Sequence, residues 1–161
     1  MAQGSSTHFG RERGFTPTLS YEAFRQRVPI QPYEQLYPWI ERTLRGEADV
    51  LWPGKVRWFA KSSGTTNDRS KFIPISPESL QYTHFRAARD MFATYLTLYA
   101  GDTHLVEGKI ISIGGSHEIS PAGPHARSGD LSAVLLATMP AFYRLFRAPS
   151  LEIALLPRWE E

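Results

Sequence analysis

The spacing of apolar residues predicts the main elements. Leu36, Ile40 and Leu44 recur every four positions, so they share one face of a helix starting near Pro32 and stopping at Gly46. Pro38 lies inside that stretch and is expected to kink or divide it. A shorter helix precedes it, with Ser20 as cap before Tyr21-Glu22-Ala23-Phe24 and Pro29 beyond its end. The longest helical pattern comes later. Phe85, Ala88, Phe92, Tyr95, Leu96 and Tyr99 form one apolar stripe, opened by Ser76-Pro77-Glu78 and closed by Gly101. That stripe is expected to be core.

Two strands are predicted at Val56–Ala60 and Lys71–Ile75, with Pro74 marking an edge or strand end. Trp52-Pro53-Gly54 signals a turn before them. Lys109–Ile113 reads as a third strand, running into Gly114-Gly115-Ser116, and Leu151–Leu156 as a fourth. A loop follows Ser116 as far as Gly129. Asp130 then caps a helix over Leu131–Met139, and residues 141–148 form a short helical turn. Residues 1–8 are small and polar and are expected to fray. The pattern is α/β, and no internal repeat interrupts it.

Composition narrows the classes. The 161 residues are 42% hydrophobic and 21% charged, which is ordinary for a globular domain. A net charge of +2 makes no case for nucleic acid as a partner. Cysteine is absent, which excludes disulfides, a thiolate nucleophile and cysteine-ligated metal, and agrees with a reducing compartment. The start has no apolar signal region. The longest apolar run, Ala133–Ala137, is far short of the roughly 20 residues that span a bilayer. A cytoplasmic protein without membrane contact is expected. His8, His84, His104, His117 and His125 have no metal-ligand spacing, so no metal site is expected from them.

The chemistry gathers between the first two strands. Ser62, Ser63, Thr65 and Thr66 put four hydroxyls around Gly64, and Lys71 follows at the next strand. A triphosphate needs close backbone approach, N–H and hydroxyl donors and a nearby cation, and this loop supplies each. It is not a Walker A loop, because the G-x-x-x-x-G-K-[ST] pattern is missing and a strand follows it instead of a helix. Composition alone leaves a ligand-free Ser/Thr-rich turn equally open.

Ser62-Ser63-Gly64-Thr65-Thr66 with Lys71 resembles the phosphate loop of the adenylate-forming superfamily, which includes acyl-CoA synthetases and firefly luciferase. The longer string from Trp52-Pro53-Gly54-Lys55 through Phe72-Ile73-Pro74-Ile75-Ser76 resembles the auxin-responsive Gretchen Hagen (GH-three) family of acyl acid–amido synthetases, in its bacterial branch. Ser20–Phe24, Ile113–Ser116, Gly129–Ser132 and Leu156–Glu160 are similar to that family too.

The resemblance implies the opening segment of an adenylate-forming large domain, with residues 9–161 a truncated part of it that is inactive alone. It implies an ATP- and Mg²⁺-dependent ligase that activates a carboxylic acid as an acyl-adenylate and passes the acyl group to an amine or amino acid. Ser62, Ser63, Gly64, Thr65, Thr66 and Lys71 are then the ATP-binding residues, Lys71 is also the catalytic cation, and the missing C-terminal part of the enzyme is a partner. The alternative is a non-catalytic nucleotide-binding or interaction domain complete at this length.

Three other features are given plainer roles. Gly114-Gly115-Ser116 is expected to be a strand-to-loop turn, Asp130 a helix cap, and Trp58 and Phe59 the apolar face of a strand.

Overall fold

A computed structural model describes residues 2–62, 70–119 and 123–156. After a 3-10 turn at Gly4–Ser6 the elements run α1 (His8–Glu12), α2 (Tyr21–Arg27), α3 (Tyr33–Leu44), β1 (Trp58–Ser62) and β2 (Lys71–Ile75). Next come α4 (Pro77–Ser79), a π-helical turn (Leu80–Phe85), α5 (Arg86–Leu98), α6 (His104–Glu107) and β3 (Ile110–Ile111). The remainder is β4 (His117–Ile119), β5 (Arg127–Gly129), α7 (Leu131–Thr138), α8 (Ala141–Arg144), β6 (Arg147–Ala148) and α9 (Leu151–Ala154). They fall into two compact units, one of 1–76 with 119–128 and one of 77–118 with 129–161.

In the first unit, Ile40, Leu44, Val56, Phe59 and Ala126 form the buried core, with Tyr33, Leu36 and Phe72 packed against it. α3 contributes the predicted face and runs unbroken through Pro38. β1 and β2 pair antiparallel, and β5 lies on the other side of β1, where the Arg127 amide donates to Arg57 O at 2.8 Å. β2 is therefore an edge strand, which is where Pro74 can sit. β1 begins two residues later than the sequence suggests and extends through Ser62, because Lys71 still offers it a partner there.

The fraying expected at the N-terminus is corrected. Thr7 is buried, and its hydroxyl accepts from the Gly10 amide at 2.9 Å to cap α1. The His8 and Phe9 amides, which no helical carbonyl can reach, donate to Asp49 and Val50 carbonyls at 2.6 and 3.0 Å. Phe9 then packs edge-on against Trp39, 5.3 Å between ring centres.

In the second unit, the π-helical turn divides the long helix. The aromatic stripe is also corrected. Phe85, Phe92 and Tyr95 are half-buried, while Leu96 and Tyr99 are exposed. Periodicity tells which side chains share a face, and it does not tell whether anything covers that face. β3 pairs parallel with β6, Ile110 opposite Arg147, so part of the helical turn expected over residues 141–148 is strand instead. Leu151–Leu156, expected as a strand, contains α9 instead. A short apolar run has no period long enough to separate the two. β4 and β5 likewise occupy the stretch expected to be loop. Among the described residues, no helix is long and apolar enough to cross a membrane.

A candidate phosphate-binding hairpin

The β1–β2 register runs from Trp58 opposite Ile75 to Ser62 opposite Lys71. Ser62 and Lys71 therefore face each other in the last pair of that ladder. Ser63, Gly64, Thr65 and Thr66, the other predicted members of the site, lie outside the described residues.

Lys71 is half-buried, and α3 supplies its surroundings. The Lys71 ammonium lies 5.3 Å from the centre of the Tyr33 ring and 3.9 Å from Glu34 Oε1. The first is within reach of a cation–π attraction. The second is a loose ion pair that costs little to break in water.

Tyr33 also holds the strand that carries Lys71. Its hydroxyl accepts from the Phe72 amide at 2.9 Å and donates to the Phe72 carbonyl at 3.2 Å. Both of those groups therefore point away from β1. That makes Lys61–Phe72 a pair without hydrogen bonds in the ladder, and alternation makes Phe59–Pro74 another. Pro74 removes an N–H that the ladder never used. Partial burial holds the Tyr33 phenol above its ordinary value, opposed by its bond to Phe72, so near neutral pH it is a hydroxyl able to donate and accept together. Sequence reasoning missed Tyr33. It looks like one more aromatic residue at a helix start, 39 positions from the residue it binds.

The other candidates have structural roles. Gly114 and Gly115 lie against the start of α7, where a Cβ on Gly115 would fall 1.8 Å from Asp130 Oδ2. The Gly115 amide donates to Ser132 Oγ at 3.3 Å. Asp130 stands at the N-cap position of α7, but its side chain makes no capping hydrogen bond, so it caps by position only. Among the described residues, no three His, Asp or Glu side chains converge on a point that could hold a metal. An open apolar groove of about 660 Å³ lies in the first unit between Phe9, Phe15, Phe24, Leu36 and Trp52; neither Ser62 nor Lys71 lines it.

The family model described as the GH3 family N-terminal domain matches residues 1–148. The chain belongs to the GH3 family. Its relatives include a probable indole-3-acetic acid-amido synthetase, GH3.2, of Oryza sativa subsp. japonica, 31% identical over 81 residues, which are 50% of this chain and 13% of the relative. Another is the jasmonoyl--L-amino acid synthetase JAR4 of Nicotiana attenuata, 25% identical over 125 residues, 76% of this chain and 21% of the relative. Among solved structures, a GH3.15 acyl acid amido synthetase superposes with a TM-score of 0.68 at 20% identity, covering 98% of this chain and 27% of that one. AtGH3.15 acyl acid amido synthetase in complex with 2,4-DB gives a TM-score of 0.62 at 24% identity, covering 86% and 24%.

The GH3 chain thus spans about a fifth or less of these curated relatives. Its fold is the expected mixed helix and sheet, and it superposes on the N-terminal part of those acyl acid amido synthetases.

Proposed function

We propose that this chain supplies the ATP-phosphate site of a GH3 acyl acid–amido synthetase, as one part of a larger adenylate-forming domain. In the reaction a carboxylate oxygen attacks the α-phosphorus of ATP. The bond from that phosphorus to the bridging oxygen breaks, and pyrophosphate leaves. An amine or amino acid then takes the acyl group from the adenylate, giving an amide and AMP.

The first step concentrates negative charge on the departing pyrophosphate. Fixed donors that face it lower the barrier, because they interact more strongly with the transition state than with ATP. Ser62, Ser63, Thr65 and Thr66 bring hydroxyls, Gly64 allows backbone N–H groups to approach, and Lys71 brings a full positive charge. Mg²⁺ would enter as an ion carried in by the ATP phosphates, whose oxygens are its natural hard ligands. Ser62 is the described side chain suited to ligate it, and the ion would add charge neutralisation at the phosphates. A cytoplasmic location belongs to the same proposal, and a chain free of cysteine is compatible with a reducing compartment.

The observation carrying this reading is the pairing of Ser62 with Lys71 at the mouth of the hairpin. ATP–pyrophosphate exchange driven by a panel of carboxylic acids tests it, on the protein that carries this chain, with and without Lys71→Ala. Carboxylate-dependent exchange that collapses in the variant supports the reading. Exchange that ignores the substitution contradicts it.

A further inference from the structure

We propose that Tyr33 is the positioning residue for Lys71, holding both the strand that carries the lysine and the ammonium itself. The inference rests on Lys71 serving the ATP phosphates. An edge strand presents its outward backbone groups to water, where the strand end can fray. At Phe72 those groups are taken by a single phenol, the amide at 2.9 Å and the carbonyl at 3.2 Å, in place of a neighbouring strand. Two positions on, Pro74 has no outward amide to protect.

The edge is therefore fixed next to the residue whose charge matters most. The Tyr33 ring then provides a face for that charge, with Nζ 5.3 Å from its centre. Tyr33 is anchored in turn, as the first residue of α3, whose Ile40 and Leu44 are buried in the core. The phenol fixes the backbone and the ring limits where a long, flexible side chain points, so less freedom is lost when phosphate arrives. Glu34 competes for the same ammonium at 3.9 Å, a contact loose enough for a polyphosphate to displace.

The test compares Tyr33→Phe, Tyr33→Leu and Lys71→Ala in the protein that carries this chain. Three readouts are taken: ATP affinity, hydrogen exchange at the Phe72 amide, and the shielding of the Lys71 ε-methylene by the Tyr33 ring in NMR spectra. Tyr33→Phe is expected to speed exchange at Phe72, keep the shielding and weaken ATP binding about threefold. Tyr33→Leu is expected to lose the shielding as well and weaken ATP binding about tenfold.

Unchanged ATP affinity in Tyr33→Leu, with affinity lost in Lys71→Ala, overturns the positioning role and leaves the phosphate reading standing. Unchanged affinity in Lys71→Ala overturns both. If Tyr33→Leu fails to fold, Tyr33→Phe decides. Faster Phe72 exchange with weaker ATP binding supports the proposal, and either measure remaining at its wild-type value overturns it.

Discussion

Ser62 and Lys71 are opposite each other in the last pair of the β1–β2 ladder, one bringing a hydroxyl and the other a charge to the same end of a hairpin. The two should differ in weight. A neutral hydrogen bond is worth about 1 kcal/mol, so Ser62→Ala should slow carboxylate-dependent pyrophosphate exchange by about fivefold. A charge aimed at a charged transition state is worth more, and Lys71→Ala should cost about a hundredfold or more. Steady-state exchange rates for the two variants check the ranking, and equal effects would contradict it.

Phe59 is fully buried at the centre of the first unit's core. Phe59→Ala should destabilise the protein by about 3–5 kcal/mol, the transfer cost plus the cavity left behind. Tyr82 is 68% exposed, and Tyr82→Ala should change stability by less than about 0.5 kcal/mol. Denaturant unfolding of both variants gives the comparison.

Gly115 faces Asp130 across a gap that leaves no room for a methyl group. Gly115→Ala should cost about 1 kcal/mol or less, because the atoms in the way belong to the exposed Asp130 side chain, which makes no capping bond and can turn aside. Asp130→Ala should recover part of that loss, so a double-mutant cycle in thermal unfolding should show coupling between the two sites.

Asp102 Oδ2 accepts from the Tyr95 hydroxyl at 2.7 Å, and its Oδ1 accepts from the His104 amide at 3.0 Å. The phenol first, and the amide second, hold the Asp102 carboxyl below its ordinary value of 3.8. Its contribution to stability is therefore complete above that value and is lost as the pH falls through the lower folded-state value. The same bond raises the Tyr95 phenol above 10.0, so that contribution is complete below 10.0 and is lost as the pH rises through the higher folded-state value. Asp102→Asn should be less stable than wild type at neutral pH, and the gap should narrow below about pH 4. Both groups are only partly buried, so the effect is small and needs urea midpoints measured at several pH values.

Much of the first unit is legible in the sequence because local signals and packing agree there. Leu36, Ile40 and Leu44 mark the inward side of α3, Ser20 caps α2 through the Ala23 amide, and Pro74 marks β2 as an edge. Thr7 misleads, because a small polar residue reads as a loose end until Asp49 and Val50 bring carbonyls to the α1 amides. The second unit is less readable. Its strands are only two or three residues long, and pairing between distant segments defines them, as Ile110 with Arg147 shows. At the candidate site, the hydroxyls and the lysine stand out by residue type. Tyr33 does not, since its role comes from where α3 delivers it.

On the proposed function, the β1–β2 hairpin holds the phosphates of ATP. A crystal structure of the protein carrying this chain, with a non-hydrolysable ATP analogue, tests it most directly. The β- and γ-phosphates should lie beside Ser62–Thr66, with the Lys71 ammonium turned toward them and away from Glu34. An analogue bound elsewhere, with Lys71 still against Glu34, would contradict it.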